Sequence, residues 1–70
     1  MSEAAYIGRN LKAARVRRLL TQKELAEKAR VSPSTIVNIE RDQTAPHFRT
    51  IRKLAEALEV DPTSLLSEQS

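Results

Sequence analysis

Apolar residues recur along the chain at steps of three and four, the spacing of one face of an α-helix. One such pattern predicts a helix over about residues 4–18, with the apolar positions Ile7, Leu11, Ala14, Leu19 and Leu20. A second pattern marks a helix late in the chain through Phe48, Ile51, Leu54, Ala55 and Leu58. No stretch alternates between apolar and polar residues as a β-strand does, so the pattern predicts an all-α fold.

Capping chemistry predicts three further helix starts. The residues that carry it are Thr21 with Glu24, Ser32 with Pro33, and Asp61 with Pro62. The first pair opens a short helix that ends near Ala29, and the second opens a helix over residues 33–41. The third opens a short helix that contains Leu65 and Leu66. The chain is therefore expected to form a compact five-helix domain over residues 1–70.

The helices predicted within residues 21–41 are joined by only about three or four residues and are expected to meet at a steep angle, which indicates a helix-turn-helix. Such a motif needs a small residue where its helices approach, and Ala26 stands there. It also needs an apolar plug in the turn, supplied by Val31, and branched aliphatic anchors on the second helix, supplied by Ile36 and Ile39. The outer face of that second helix is left polar and exposed.

The segment LTQKELAEKARVSPSTIVNIER, residues 20–41, resembles the helix-turn-helix domains of the lambda-repressor and Cro type, also called the xenobiotic response element family. The likeness continues through LAEALEVDPTSLL, residues 54–66. The resemblance implies a lambda-repressor-like DNA-binding domain that acts as a sequence-specific transcriptional regulator, most often a repressor. It also implies a homodimer on a palindromic double-stranded operator, with half-sites about 34 Å apart.

Two positions depart from the family pattern. Glycine is usual in the family where this chain has Arg30 and Asp42, and both places often require a left-handed backbone. A residue with a side chain costs on the order of 1 kcal/mol in that conformation, and aspartate tolerates it better than arginine. The expectation is modest strain or a locally rearranged turn.

The charges are distributed unevenly. Residues 1–53 hold all twelve Lys and Arg against five acids, for a net charge of +7, whereas residues 54–70 hold four acids and no base. An anionic partner is expected at the front of the chain, although a solvated helix surface has the same composition. Four basic residues are expected to be solvated and to add to the electrostatic field of the domain rather than to contact the partner directly: Arg9, Lys12, Arg17 and Arg18.

Base reading is predicted for the outer face of the helix at residues 33–41, through Pro33, Ser34, Val37 and Asn38. Asn38 can pair bidentately with adenine, Ser34 can donate or accept, and Val37 and the Pro33 ring can lie against thymine methyl groups. These residues favour an A/T-rich half-site. A solvated helix presents the same face, so that interpretation stays open here.

Phosphate contacts are predicted on both sides of that helix. The start of the preceding helix resembles the positions where the family grips a phosphate, and a helix N-terminus favours an anion. The predicted residues are Thr21, Gln22 and Lys23 on one flank, and Thr35, Gln43, Thr44, His47 and Arg49 on the other. On the second flank, ordinary loop and cap chemistry is the alternative explanation.

Three positions suggest internal contacts. In relatives, the residues that match Arg15 and Glu40 form a buried ion pair, so the resemblance implies one here. The alternative is two unrelated solvated charges. Gly8, the only glycine, lies inside the first predicted helix and indicates either a close packing contact or simple tolerance.

Leu58, Val60, Leu65 and Leu66 are candidates for a dimer interface within residues 47–67, because the family usually pairs through these helices. The same residues are also suited to completing the core of one subunit. A protein-interaction module of the antitoxin or adaptor type is the alternative function, because a scaffold does not dictate its partner.

Catalysis and cofactor binding are not predicted. The chain has no cysteine, its single His47 has no metal-spaced partner, and no glycine-rich loop is present to hold phosphates. No apolar run is long enough to cross a bilayer or to serve as a signal peptide. A soluble cytoplasmic protein of bacterial or phage origin, without cofactor or metal, is expected.

Overall fold

The computed structural model describes the backbone of residues 4–67 and the side chains of residues 7–67. Over this part of the chain it contains five helices and no strand: α1 Ala4–Arg17, α2 Gln22–Ala29, α3 Pro33–Glu40, α4 Phe48–Leu58 and α5 Pro62–Leu66. The predicted all-α, five-helix architecture is confirmed. No helix in the described residues is long and apolar enough to cross a membrane.

Aliphatic side chains from all five helices meet in one core. The largest fully buried members are Ile7, Leu11, Leu25, Ile36, Ile39, Leu54, Leu58 and Leu65. Each such side chain contributes about 1.5–3 kcal/mol relative to an exposed one, which lets a short chain remain folded without cysteine. The contacts pair α2 with α3 and α4, and α1 with α3 and α5.

Two residues of the predicted apolar faces lie outside this core, so that part of the prediction is wrong. Leu19 is 88% exposed and Phe48 is 72% exposed. Leu19 follows the end of α1 and has φ 57°, so it leaves the helical register that buries Leu11. Phe48 is the first residue of α4, one turn before the buried Ile51, and extends beyond the core.

The left-handed conformation expected at Arg30 and Asp42 is present, with φ of 61° and 59°. Arg30 is the C-cap of α2, and its N–H contacts the carbonyl oxygens of Ala26 and Glu27. The turn therefore adopts the left-handed conformation without glycine, a conformation that costs an L-residue about 1–2 kcal/mol. Two further residues, Leu19 and Glu59, adopt the same conformation.

Gly8 is a packing requirement rather than a tolerated defect. A Cβ atom at this position would lie 2.5 Å from the carbonyl oxygen of Ile39 and closer still to the carboxylate of Asp42. A real Cβ atom never approaches a backbone oxygen so closely. The absence of a side chain therefore lets α1 pass directly over the C-terminal end of α3.

Two polar side chains of the first helical segment hold the C-terminal helices in place, and sequence patterns predicted neither contact. Asn10, 5% exposed, donates through Nδ2 to the carbonyl oxygens of Leu65 at 3.0 Å and Ser67 at 2.6 Å. Arg18 donates through Nε to the Leu58 carbonyl oxygen at 2.9 Å. Arg18 is exposed, as expected, and its guanidinium also satisfies an end carbonyl of α4.

The burial of Leu58 and Leu65 corrects their proposed role as interface residues. Both are at most 1% exposed, because they fill the space between α1, α4 and α5. A second subunit would have to unfold the first to reach them. Val60 and Leu66 are only partly buried against the core, so they are the two candidates with accessible surface.

Candidate nucleic-acid interface

Reciprocal capping sets the start of α2. The Thr21 hydroxyl accepts the N–H of Glu24 at 3.0 Å, while the Glu24 carboxylate accepts the N–H of Thr21 at 2.8 Å. Both bonds satisfy backbone donors that a helix end leaves unpaired. The backbone bond from Thr21, followed by the contact with its hydroxyl, lowers the pKa of Glu24 below the ordinary value of 4.5.

The turn between α2 and α3 is held by the core. Ala26 is 1% exposed, and its carbonyl oxygen accepts the N–H of Val31 at 3.0 Å. The Val31 side chain packs against the core, and Ile36 and Ile39 of α3 are fully buried. Because one side of α3 is anchored in this way, its opposite side faces solvent.

The four residues predicted to read bases lie on this outer side of α3. Pro33 and Ser34 occupy one turn and Val37 and Asn38 the next, a spacing that brings the pairs together on one surface. Pro33 and Ser34 are exposed, and Val37 and Asn38 are half-buried. The surface is therefore made of short side chains that carry one amide, one hydroxyl and two small apolar groups.

A cluster of hydroxyl groups lies at the N-terminal end of α3. Ser32 is the N-cap, and its Oγ accepts the backbone N–H of Thr35 at 3.3 Å. The same oxygen lies 3.0 Å from Ser34 Oγ and 2.9 Å from Thr35 Oγ1. The helix start therefore orients a predicted base-reading residue and a predicted phosphate-contacting residue together.

Arg15 and Glu40 lie in contact between α1 and α3, as the resemblance implied. The guanidinium also donates through Nη1 to the carbonyl oxygen of Leu20 at 2.8 Å. Gln22 donates through Nε2 to Glu40 Oε1 at 3.1 Å, so the first residue of α2 joins the same network. Three helices are thereby locked in register behind the outer face of α3.

Gln22 retains a donor for a second partner. Its amide nitrogen carries two hydrogens, and one of them is directed at Glu40. The side chains of Thr21 and Lys23 on either side are exposed. The first predicted phosphate flank is therefore a continuous group of donors around the start of α2.

The second predicted flank follows α3 in the chain. Gln43 and Thr44 are exposed in the loop, and His47 is the N-cap of α4 with no side-chain cap bond. Arg49 is exposed in the first turn of that helix. Thr35 lies apart from these residues in the chain, within the hydroxyl cluster at the start of α3.

Arg41 is a residue that the sequence-based site prediction missed. It is the exposed C-cap of α3, between the outer face of that helix and the loop with Gln43 and Thr44. A basic residue at the end of the predicted recognition helix, residues 33–41, was the available signal. Its position adds a cation to the second flank.

The closely packed α2–α3 pair, joined by a short turn, anchored in the core on one side and polar on the other, defines a helix-turn-helix protein. Residues 11–65 match the model of the helix-turn-helix family. The chain belongs to this family, in its lambda-repressor and Cro branch. Members of the family are DNA-binding transcription regulators.

A relative from a bacteriophage agrees with this assignment. The chain is 39% identical over 64 residues to the immunity repressor protein of Bacillus phage phi105, a match that covers 91% of this chain and 44% of the relative. The chain thus spans less than half the length of that repressor.

Solved structures show the same fold. An HTH_3 family transcriptional regulator from Vibrio cholerae superposes with a TM-score of 0.84 at 27% identity, over 91% of this chain and 38% of that one. The restriction-modification controller protein C.AhdI from Aeromonas hydrophila superposes with a TM-score of 0.86 at 29% identity, over 93% of this chain and 98% of that one.

Proposed function

We propose that this chain is a sequence-specific transcriptional repressor that binds double-stranded DNA as a homodimer and reads the major groove with α3. The observation that carries the proposal is the outer face of α3, where Pro33, Ser34, Val37 and Asn38 present short side chains on a helix anchored by Ile36 and Ile39. Residues 21–41 are the DNA-reading motif in this proposal.

Asn38 has the central role in base reading. Its amide nitrogen can donate to N7 of adenine while its amide oxygen accepts from the N6 amino group, in a bidentate contact. Its position on the second turn of α3, one turn after Ser34, suits a helix whose N-terminal half enters the groove. Val37 and Pro33 add apolar surface that fits thymine methyl groups, which favours an A/T-rich half-site.

Phosphate contacts on both flanks would set the register of α3. Thr21, Gln22 and Lys23 supply donors at the start of α2, and the helix N-terminus adds its own partial positive charge. On the far side the donors are Thr35, Arg41, Gln43, Thr44, His47 and Arg49. Such contacts position a protein on the duplex without reading its sequence.

The ion-pair network supports this arrangement from behind. Gln22 contacts Glu40 at 3.1 Å, so a phosphate held by Gln22 would be coupled to the C-terminal end of α3. Arg15 fixes Glu40 from α1. The phosphate flank and the reading helix are thereby held as one rigid unit.

Dimerisation is proposed through the C-terminal helices, within residues 47–67. Val60 and Leu66 are the half-buried apolar residues that remain accessible once Leu58 and Leu65 are assigned to the core. A two-fold dimer would double the phosphate contacts and so raise affinity for a palindromic site.

A protein-interaction module is the second candidate, and exposed apolar side chains favour it. Val16 and Leu19 are 52% and 88% exposed near the end of α1. A protein-docking face usually carries such large apolar anchors at its centre. The outer face of α3 carries none, so the DNA-reading surface and this apolar surface are different parts of the molecule.

Selection of bound duplexes from a random pool, followed by titration of the selected site and a random duplex at several salt concentrations, tests the proposal. A palindrome bound far more tightly than random DNA is expected, with an affinity loss of about 10³-fold or more between 50 and 200 mM salt if six or more phosphates are contacted. Sedimentation of the complex should show two chains per duplex. Failure to enrich any sequence would overturn the DNA-reading role and favour the protein-interaction module.

A further inference from the structure

The hydroxyl cluster at the start of α3 constrains how its protons are arranged. A serine hydroxyl has one hydrogen to donate and two lone pairs to accept with. The backbone N–H of Thr35 takes one lone pair of Ser32 Oγ. One proton and one lone pair of Ser32 then remain for the two neighbouring hydroxyls, Ser34 at 3.0 Å and Thr35 at 2.9 Å.

Only two arrangements satisfy all three contacts. In the first, Ser32 donates to Thr35 and accepts from Ser34. In the second, Ser32 donates to Ser34 and accepts from Thr35. The hydroxyl directions of Ser34 and Thr35 are therefore opposite and linked through Ser32.

A DNA phosphate that accepts a hydrogen bond from Thr35 selects the first arrangement. Phosphate oxygens accept hydrogen bonds and do not donate them, so Thr35 must direct its own proton at the DNA. Thr35 Oγ1 can then contact Ser32 only as an acceptor, which uses the single proton of Ser32. Ser34 must in turn donate to Ser32, and it presents lone pairs alone to the base edges.

We propose that Ser32 couples the phosphate contact of Thr35 to base reading by Ser34, so that Ser34 recognises a hydrogen-bond donor. In the major groove that donor is the amino group of adenine N6 or cytosine N4. Ser32 is a positioning residue, and Thr35 determines specificity without touching a base. The inference rests on the proposed function, because the phosphate of bound DNA selects the arrangement.

The test uses three variants of the full chain and sites selected from a random pool. Ser34→Ala identifies the base pair that Ser34 reads, as the position where its preference relaxes. Thr35→Val keeps the branched shape and the backbone N–H but has no hydroxyl, so the proton of Ser32 is no longer committed to residue 35 and the Ser32–Ser34 bond can run in either direction. Ser34 can then donate as well as accept, and the preference for adenine or cytosine at that pair should weaken in favour of guanine or thymine.

Ser32→Asp is the matched control. A carboxylate is also a good N-cap but only accepts hydrogen bonds, so Ser34 continues to donate to residue 32. This variant should keep the wild-type base at the pair while binding all sequences more weakly. Thermal unfolding followed by circular dichroism establishes that each variant is folded.

At that pair, the ratio of the affinity for the wild-type base to the affinity for guanine or thymine should fall about tenfold in Thr35→Val, the size of one mismatched base contact. An undiminished preference for the wild-type base in Thr35→Val, or a wild-type preference for guanine or thymine at the pair, would overturn the coupling. So would the absence of any pair that Ser34→Ala relaxes. If the wild-type chain selects no sequence at all, the proposed function fails and the coupling falls with it, a result distinct from these.

Discussion

Arg15 and Glu40 form a bidentate ion pair that joins α1 to α3, with Nε–Oε2 at 2.7 Å and Nη2–Oε1 at 3.1 Å. Their side chains are 12% and 5% exposed. No buried side-chain nitrogen or oxygen within residues 7–67 lacks a hydrogen-bond partner, so the pair lies in a fully satisfied environment. The contact sets the position of α3 relative to α1, because it fixes the C-terminal end of α3 against that helix.

Breaking this pair from one side should be costly. Glu40→Gln leaves the Arg15 guanidinium nearly buried without a counter-charge, and the free energy of unfolding should fall by about 3–5 kcal/mol. The double variant Arg15→Met with Glu40→Leu removes both charges and should lose far less than the sum of the losses of Arg15→Met alone and Glu40→Leu alone. Urea unfolding of wild type, these two single variants and the double variant measures the coupling, and additive losses would contradict a buried pair.

Gly8→Ala should destabilise the chain although alanine is the better helix former. The new Cβ atom would overlap the Ile39 carbonyl oxygen and the Asp42 carboxylate, and overpacking of this kind costs about 1–3 kcal/mol. Thermal unfolding of Gly8→Ala, alone and with Asp42→Gly, separates the two neighbours. A stability equal to or above wild type for Gly8→Ala alone would show that α1 does not approach α3 this closely.

Arg30→Gly should stabilise the chain. Arg30 has φ 61°, a conformation that costs an L-residue about 1–2 kcal/mol and glycine little. Part of the gain is lost because glycine makes the unfolded chain more flexible, so a net gain of about 1 kcal/mol is expected. Arg30→Ala is the matched control, since it also removes the charge but keeps the strain. An equal gain from alanine would assign the effect to charge instead.

Glu24 should contribute stability that depends on pH. Its pKa is lowered below 4.5 by the backbone N–H of Thr21, so the contribution is fully present above 4.5 and is lost as the pH falls through the folded value. Glu24→Gln can still cap but cannot titrate. The stability difference between wild type and Glu24→Gln should therefore shrink as the pH falls below 4.5. Asp61, whose pKa the Thr63 contacts also lower, is present in both proteins and cancels.

Asn38→Ala should separate base reading from phosphate contact. Loss of a bidentate base contact should lower affinity for the selected site by about 1–3 kcal/mol while leaving random DNA binding unchanged. Lys23→Ala should instead weaken binding to both duplexes and reduce the salt dependence. Fluorescence anisotropy on the two DNAs makes the comparison. Equal losses on both duplexes for Asn38→Ala would remove it from the base-reading set.

The helix starts and the anchors of the motif were predictable from local chemistry. Thr21 with Glu24 and Ser32 with Pro33 act within one helical turn, so their capping role follows from spacing alone. Arg30 required comparison with a family pattern, because nothing local shows that its backbone must be left-handed. The capping features, by contrast, depend only on neighbours in the chain.

Contacts between distant residues were less accessible from sequence. Asn10 falls in the apolar register of α1 and was a signal that something buried must pair with it, but its acceptors lie 55 and 57 residues away. Arg18 has no sequence feature that distinguishes it from an exposed cation, because its acceptor at the end of α4 lies 40 residues away. Leu58 and Leu65 suited a core and an interface equally well by composition.

The sequence by itself determined the five helices, the helix-turn-helix and the polar outer face of α3, because periodicity and capping act over three or four residues. Tertiary structure alone decided which leucines are buried, why Gly8 must lack a side chain and which distant carbonyl oxygens Asn10 and Arg18 contact. Those properties depend on the distances between packed atoms, and a few tenths of an ångström separate a hydrogen bond from a clash.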